Sequence, residues 1–242
     1  MTVEIDVLYN GFPGTASNSF LGWSSITLLR SQDRLCLVDT GAHGARLWLI
    51  QALKNRGLEC RDIDFVFLTH LHFDHADNVS LFPQAIFYFS KAEWNYANNL
   101  NDPVVEEGVL PLLKTFDKVL LEKDGQEIMP GVYSLMTPGH TPGSSSLLVD
   151  GLNGKTVITG DAVKNLIELA TGNVAMTQSI KTSQKSIKKI KALAKWVVPG
   201  HDCLLGIDEG RIFRKGENTI TLTLPDGIFI DGKNVVALSL DK

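Results

Sequence analysis

Cysteine is scarce in this 242-residue chain: Cys36, Cys60 and Cys203 are scattered, and no two form a C-x-x-C pair. An odd, scattered set builds no disulfide framework and suits a reducing compartment. Long apolar runs are missing as well. No stretch approaches the ~18 apolar residues of a membrane span, so no spanning helix and no membrane partner is expected. The opening MTVEIDVLYN lacks the basic region and apolar run of an export signal, and the expectation is a cytoplasmic protein. Excess positive charge is also lacking. The formal net charge is −4, which argues against a protein built to hold nucleic acid or a membrane surface. Low-complexity segments and Pro/Gly/Ser-rich linkers are absent too. What remains is a chain with 44% hydrophobic residues, enough for a sizeable core.

The pattern along the chain alternates between two kinds of segment. Val3–Leu8, Ser25–Leu29 and Leu35–Asp39 are rich in β-favouring residues. A helix is predicted from about Gly44 to Arg56, with Leu47, Ile50 and Leu53 at helical spacing. Asp64–Thr69 (DFVFLT) is a short apolar run of the kind buried on both faces of a sheet. A strand over Ala85–Phe89 and a mostly helical stretch from Lys91 to Thr115 follow. Strands return at Val132–Met136, Ser146–Asp150, Thr156–Thr159 and Trp196–Val198, with a helix over Ser183–Ala194. This order predicts an α/β protein in which helices pack outside two sheets. Residues 207–242 carry Asp226-Gly227 and Asp231-Gly232 turn signals between β segments. They read as a C-terminal β extension added to a domain of residues 1–206, pairing across a homodimer interface or capping a sheet edge.

Six histidines are present, and three of them fall in THLHFDHADN (69–78) together with two aspartates. Side chains two apart on an extended segment point the same way, so His70 and His72 can converge on one metal. Asp74 and His75 follow where the strand must end and can turn toward a second point. Imidazole and carboxylate are the usual ligands of catalytic zinc and also suit iron and manganese. One segment is too few ligands for a metal, and later strand ends offer more: LMTPGHT places His140, VITGDAV places Asp161 and WVVPGHD places His201. Each alone reads more readily as a structural residue; together they repeat one pattern of apolar strand, tight turn and ligand.

VDTG, THLHFDH, TPGHTPG, TGD and PGH, in this order over residues 3–205, resemble the metallo-β-lactamase superfamily. The resemblance implies an αββα sandwich with two divalent metals, zinc foremost, at one edge of the packed sheets. It implies that His70, His72 and His140 bind the first metal, and that Asp74, His75 and His201 bind the second. Asp161 would bridge both, as would a hydroxide, and Asp39 would orient a ligand from behind. It further implies a dinuclear hydrolase acting with that hydroxide on a small ester, thioester or lactone, with Asp74 and Asp161 as catalytic residues. HLHFDH and TPGHTPG are similar to the acyl-homoserine lactonases, which carry a tyrosine three residues after the bridging aspartate where this chain has Lys164. The glyoxalase II thioesterases match in part. NVSLFPQA and WVVPGHD are similar to the metallo-β-lactamase domain-containing protein 1 group, which includes RNA-processing nucleases. A phosphodiesterase or ribonuclease, and a mononuclear-iron persulfide dioxygenase, are therefore the alternative activities.

Secondary candidates complete the reading. Phe12, Trp94 and Tyr96 are read equally as cleft aromatics or as core. His43 is expected outside the ligand set and Cys203 as a bystander. The lysines of IKTSQKSIKKIKALAK (180–195) occupy the polar positions of an amphipathic helix, so a solvated face is favoured over a nucleic-acid patch. A small-molecule substrate is the expected partner.

Overall fold

Alternation along Arg34–Val38 explains the layering. Leu35 and Leu37 pack into one core, while Cys36 and Val38 pack into another. The protein, seen in a computed structural model that describes residues 2–99, 102–216 and 219–239, repeats this logic on both sides of a two-sheet sandwich. The first half contributes β1 (Glu4–Tyr9), a short hairpin of β2 (Thr15–Ala16) and β3 (Ser19–Phe20), β4 (Ile26–Ser31) and β5 (Arg34–Val38). It continues with α1 (Arg46–Lys54), β6 (Phe65–Phe67), α2 (Phe73–Ala76), β7 (Ile86–Ser90), α3 (Lys91–Asn99), α4 (Val109–Thr115) and β8 (Lys118–Leu121). The second half contributes β9 (Glu127–Met129), β10 (Val132–Met136), β11 (Ser145–Gly151), β12 (Gly154–Gly160), α5 (Leu166–Thr171), α6 (Ile180–Leu193) and β13 (Trp196–Pro199). It ends with β14 (Leu205–Asp208), β15 (Arg211–Arg214), β16 (Thr219–Thr223) and β17 (Val235–Ser239).

Six strands form the first sheet in the order β1-β4-β5-β6-β7-β8, and seven form the second in the order β15-β14-β13-β12-β11-β10-β9. Leu29, Val38 and Phe67 of the first sheet meet Val132, Leu147, Ile158 and Val198 of the second in the central core. α1, α3 and α4 cover the outer face of the first sheet, and α5 and α6 cover that of the second. The fold is the expected αββα sandwich. β5, β6, β7 and β8 run parallel, as do β12 and β13, so the C-terminal ends of β5, β6, β12 and β13 gather their following loops.

Several expectations shift. The buried face of α1 is Leu49 and Leu53, continued by Ala45 just before it, whereas Leu47 stands 77% exposed. α6 starts a turn earlier than predicted because Ser179 caps it, its hydroxyl accepting from Thr182 N at 3.3 Å. The predicted 206/207 boundary falls inside β14. Ile207 and Ile212 pack with the α5–α6 core, and Arg214 grips Asp202 through two bonds of 2.8 and 2.9 Å. β14 and β15 therefore belong to the sandwich, and β16–β17 forms a separate two-stranded sheet, as the β2–β3 hairpin does.

Candidate metal centre

Five strand ends deliver the predicted residues to one edge of the sandwich. At the end of β5, Asp39 adopts a left-handed backbone at φ 58°, a costly conformation for a non-glycine residue. Its carboxylate explains the turn. Oδ1 accepts from Thr69 N at 2.8 Å, and Oδ2 accepts from the Thr69 hydroxyl at 2.9 Å and from His75 Nδ1 at 2.7 Å. The loop after β6 carries His70 and His72, and α2 carries Asp74 and His75 in its single turn. The loop between β10 and β11 brings His140, and the turns after β12 and β13 bring Asp161 and His201. All five histidines are at least nine-tenths buried, as is Asp161.

Outer hydrogen bonds fix the ring orientations. His75 Nδ1 faces Asp39, His140 Nδ1 faces Met176 O at 2.8 Å, and His201 Nδ1 faces Trp23 O at 3.0 Å. Carboxylate and carbonyl oxygens only accept, so each Nδ1 carries a proton and each Nε2 turns inward. The Thr69 hydroxyl donates to Asp39 and so accepts from His70 Nδ1 at 3.1 Å, which turns His70 Nε2 inward too. His72 is reversed. Its Nδ1 lies 3.0 Å from His140 Nε2, and its Nε2 points away from the centre.

The inward atoms form two outer sets and a third, His70, His75 and Asp161, that links them. His70, His72 and His140 offer nitrogens within one 4.8 Å cluster, and Asp74, His75 and His201 form a second. Asp161 stands between them. Its Oδ1 lies 3.2 Å from both His75 Nε2 and His201 Nε2, and its Oδ2 lies 3.5 Å from His140 Nε2. Asp74 Oδ2 lies 3.6 Å from His75 Nε2 and 3.4 Å from His201 Nε2. His70 Nε2, His75 Nε2 and Asp161 Oδ1 are buried with no hydrogen-bond partner. Stranded polar atoms of this kind are costly, and a cation among them removes the cost. The donor set therefore fits divalent metal.

The electrostatics of the two sets differ. Burial, reinforced by neighbouring histidines, drives His70 well below the ordinary imidazole range. Burial likewise lowers His72 and His140 to about 4, so these three rings are neutral lone-pair donors. Burial also opposes a proton on His75 and His201. There Asp74, Asp39 and Asp161 outweigh it for His75, and Asp161 and Asp74 for His201, raising both pKa values. Burial pushes Asp161 up, but His201, His140 and His75 hold it well below the usual carboxylate range.

A cleft opens over this edge. Phe20, Phe73, Val104 and Met176 wall it, and Lys164 and Glu168 stand beside Asp161. Phe12 instead packs on Trp23 with ring centroids 5.1 Å apart, and Trp94 and Tyr96 belong to the outer core of the first sheet. His43 is exposed near Asp77 and belongs to neither ligand set. Cys203 is buried, its thiol 3.8 Å from Gly216 O. Two supporting carboxylates went unread in the sequence, Glu93 and Asp102. Glu93 had a local signal: it shares one helix face with the buried Tyr96 and Ala97, a carboxylate where an apolar residue is expected.

Sandwich and centre together define a metal-dependent hydrolase. The chain belongs to the metallo-beta-lactamase superfamily, whose family profile matches residues 22–201. It is 31% identical over 169 residues to a probable metallo-hydrolase of Methanocaldococcus jannaschii, a match covering 69% of this chain and 70% of that one. It is 36% identical over 115 residues to an N-acyl homoserine lactonase of a Bacillus species, covering 47% of this chain and 44% of the lactonase. A solved probable metal-dependent hydrolase from Staphylococcus aureus shares the fold with a TM-score of 0.71 at 20% identity, over 86% of this chain and 94% of that one. Among the described residues, no helix is long and apolar enough to cross a membrane.

Proposed function

We propose that the chain is a dinuclear metal hydrolase of a small ester, thioester or lactone that carries an apolar acyl group. The carrying observation is Asp161, whose two oxygens face two different ligand sets. His70, His72 and His140 would hold one metal, Asp74, His75 and His201 the other, and Asp161 both. Zinc suits this set best, and iron and manganese also fit imidazole with carboxylate. Bound divalent metal supplies activated water at neutral pH and polarises the group under attack.

The protein's own residues supply positioning. Phe20 and Met176 stand 53% and 64% exposed at the cleft mouth, an apolar surface suited to an acyl chain. Lys164 projects an ammonium beside Asp161, held by Glu168 Oε1 at 3.1 Å. It occupies the place that a tyrosine takes in the lactonases, and can donate to a carbonyl oxygen or a departing carboxylate. Lys164 is the only lysine or arginine lining the cleft among the described residues. The exposed Lys181, Lys185 and Lys188 of α6 are not part of that lining. One cation is a poor track for a polyanion, and this favours a carbonyl substrate over RNA.

A paired assay on metal-loaded protein tests the reading. One arm uses simple lactones and thioesters, the other an activated phosphodiester and short RNA, with Asp161→Ala as control in both. Turnover confined to the carbonyl arm and abolished in Asp161→Ala is expected. Turnover confined to the phosphodiester arm would overturn it.

A further inference from the structure

His72 differs from the other four clustered histidines. His75, His140, His201 and His70 each have an outer nitrogen bonded to a named oxygen, whereas His72 Nε2 is buried with no hydrogen-bond partner. With Nδ1 turned inward against His140, a neutral His72 must carry its proton on Nε2. That N–H needs an acceptor. Asp102 Oδ2 stands 3.7 Å away, its side chain 12% exposed, and a shift of about half an ångström brings the pair into hydrogen-bond range.

Asp102 is built into place. Its Oδ1 accepts from Val104 N at 3.0 Å, and its Oδ2 accepts from the Tyr96 hydroxyl. Gln178 Nε2 donates to that hydroxyl at 3.1 Å. The donors run one way, from Gln178 to Tyr96 to Asp102, and leave Asp102 as the acceptor facing His72. The backbone ties the same pieces together. Phe73 N donates to Val104 O at 3.0 Å, and Glu106 N to Leu71 O at 3.2 Å, so the 102–106 loop is stitched to the ligand loop. On the other side, Gln178 N bonds His140 O at 3.1 Å, two residues beyond the carbonyl that holds His140 Nδ1.

We propose that Asp102, braced by Tyr96 and Gln178, is the positioning carboxylate of His72, and that this braced segment orients two ligands of the first metal together. The inference rests on the two-metal reading. A ligating histidine gains basicity and a fixed ring from such an outer acceptor, and losing one typically costs about 10- to 100-fold in metal affinity.

The test measures zinc affinity at each site by chelator competition, for wild type, Asp102→Ala, Asp102→Asn and Tyr96→Phe. It also follows the His72 Nε2 proton by NMR in zinc-loaded protein. Asp102→Ala is expected to weaken one of the two sites about 10- to 100-fold and leave the other within about twofold. Asp102→Asn, which keeps an acceptor oxygen, should recover part of that loss. Tyr96→Phe, which keeps the ring packing, should fall between wild type and Asp102→Ala and should shift the Nε2 proton resonance. Unchanged affinities in a folded Asp102→Ala protein, or equal losses at both sites, would overturn the proposal. Wild type that binds a single zinc would instead overturn the two-metal reading beneath it, so the two failures are distinguishable.

Discussion

Replacing Glu93 with Gln changes one atom in a fully buried carboxyl that clasps the two loops carrying His70, His72 and His140. Glu93 Oε1 accepts from Leu71 N at 2.9 Å, between His70 and His72, and Oε2 accepts from the Thr141 hydroxyl at 2.6 Å, just after His140. Burial raises its pKa from the ordinary 4.5 to about 7, against the lowering effect of those bonds. The folded chain therefore takes up a proton at Glu93 more readily than the unfolded chain. This contribution to stability is fully present below pH ~4.5 and is lost as pH rises through ~7. A shift of about 2.5 units at ~1.36 kcal/mol each is ~3 kcal/mol in total, of which roughly 2–3 kcal/mol falls between pH 5 and 8. Gln does not ionise, and the Thr141 hydroxyl, which shares a 2.7 Å bond of either polarity with Ser144, can reverse to accept from its amide. Urea unfolding of metal-free wild type and Glu93→Gln at pH 5, 6, 7 and 8 isolates the term, because the titrations of the histidine cluster are common to both. The stability of Glu93→Gln relative to wild type should rise by roughly 2–3 kcal/mol across that range. A flat difference would refute a raised Glu93 pKa and make Glu93 an ordinary buried anion.

Further outcomes follow from the site. Acidic neighbours raise the pKa values of His75 and His201, whereas burial lowers those of His70, His72 and His140, so protons compete with metal more strongly at the Asp74–His75–His201 set; affinity there should fall more steeply than at the other set as pH drops from 8 to 6. Chelator competition at several pH values reads both slopes, and parallel slopes would count against this assignment of protons. A Cβ at Gly200 would collide with Asp161 Oδ1 and the Gly160 backbone, so Gly200→Ala should displace the shared carboxylate and lower metal content; metal analysis that finds full loading contradicts this. Truncation after Gly206 removes half of β14 and all of β15 and leaves Asp202, which is 0% exposed, without Arg214. Breaking such a pair costs about 3–5 kcal/mol, so the 1–206 chain should lose its cooperative melt while a 1–216 chain keeps it. A 1–206 chain that melts like the parent would return β14 and β15 to an optional extension.

The residues that meet in the cluster were legible because each sits at a strand end, where local sequence carries the signal: apolar run, tight turn, then His or Asp. Asp39 was legible for the same reason, in VDTG. The supports behind them were not, because tertiary packing alone pairs them with the site. Glu93 reaches Leu71 and Thr141 across 22 and 48 residues, and Gln178 reaches Tyr96 across 82. Nothing near Gln178 in sequence marks it. The misplaced boundary at 206 has a similar origin. The turn signals of the C-terminal segment are real, but they say where strands end and not which sheet receives them. Membership in the sandwich was decided by Ile207 and Ile212 meeting α5 and α6, and by Arg214 reaching an aspartate one residue past His201. That last contact couples β15 to the turn carrying His201, so the piece that reads as an appendage braces one loop of the histidine cluster from behind.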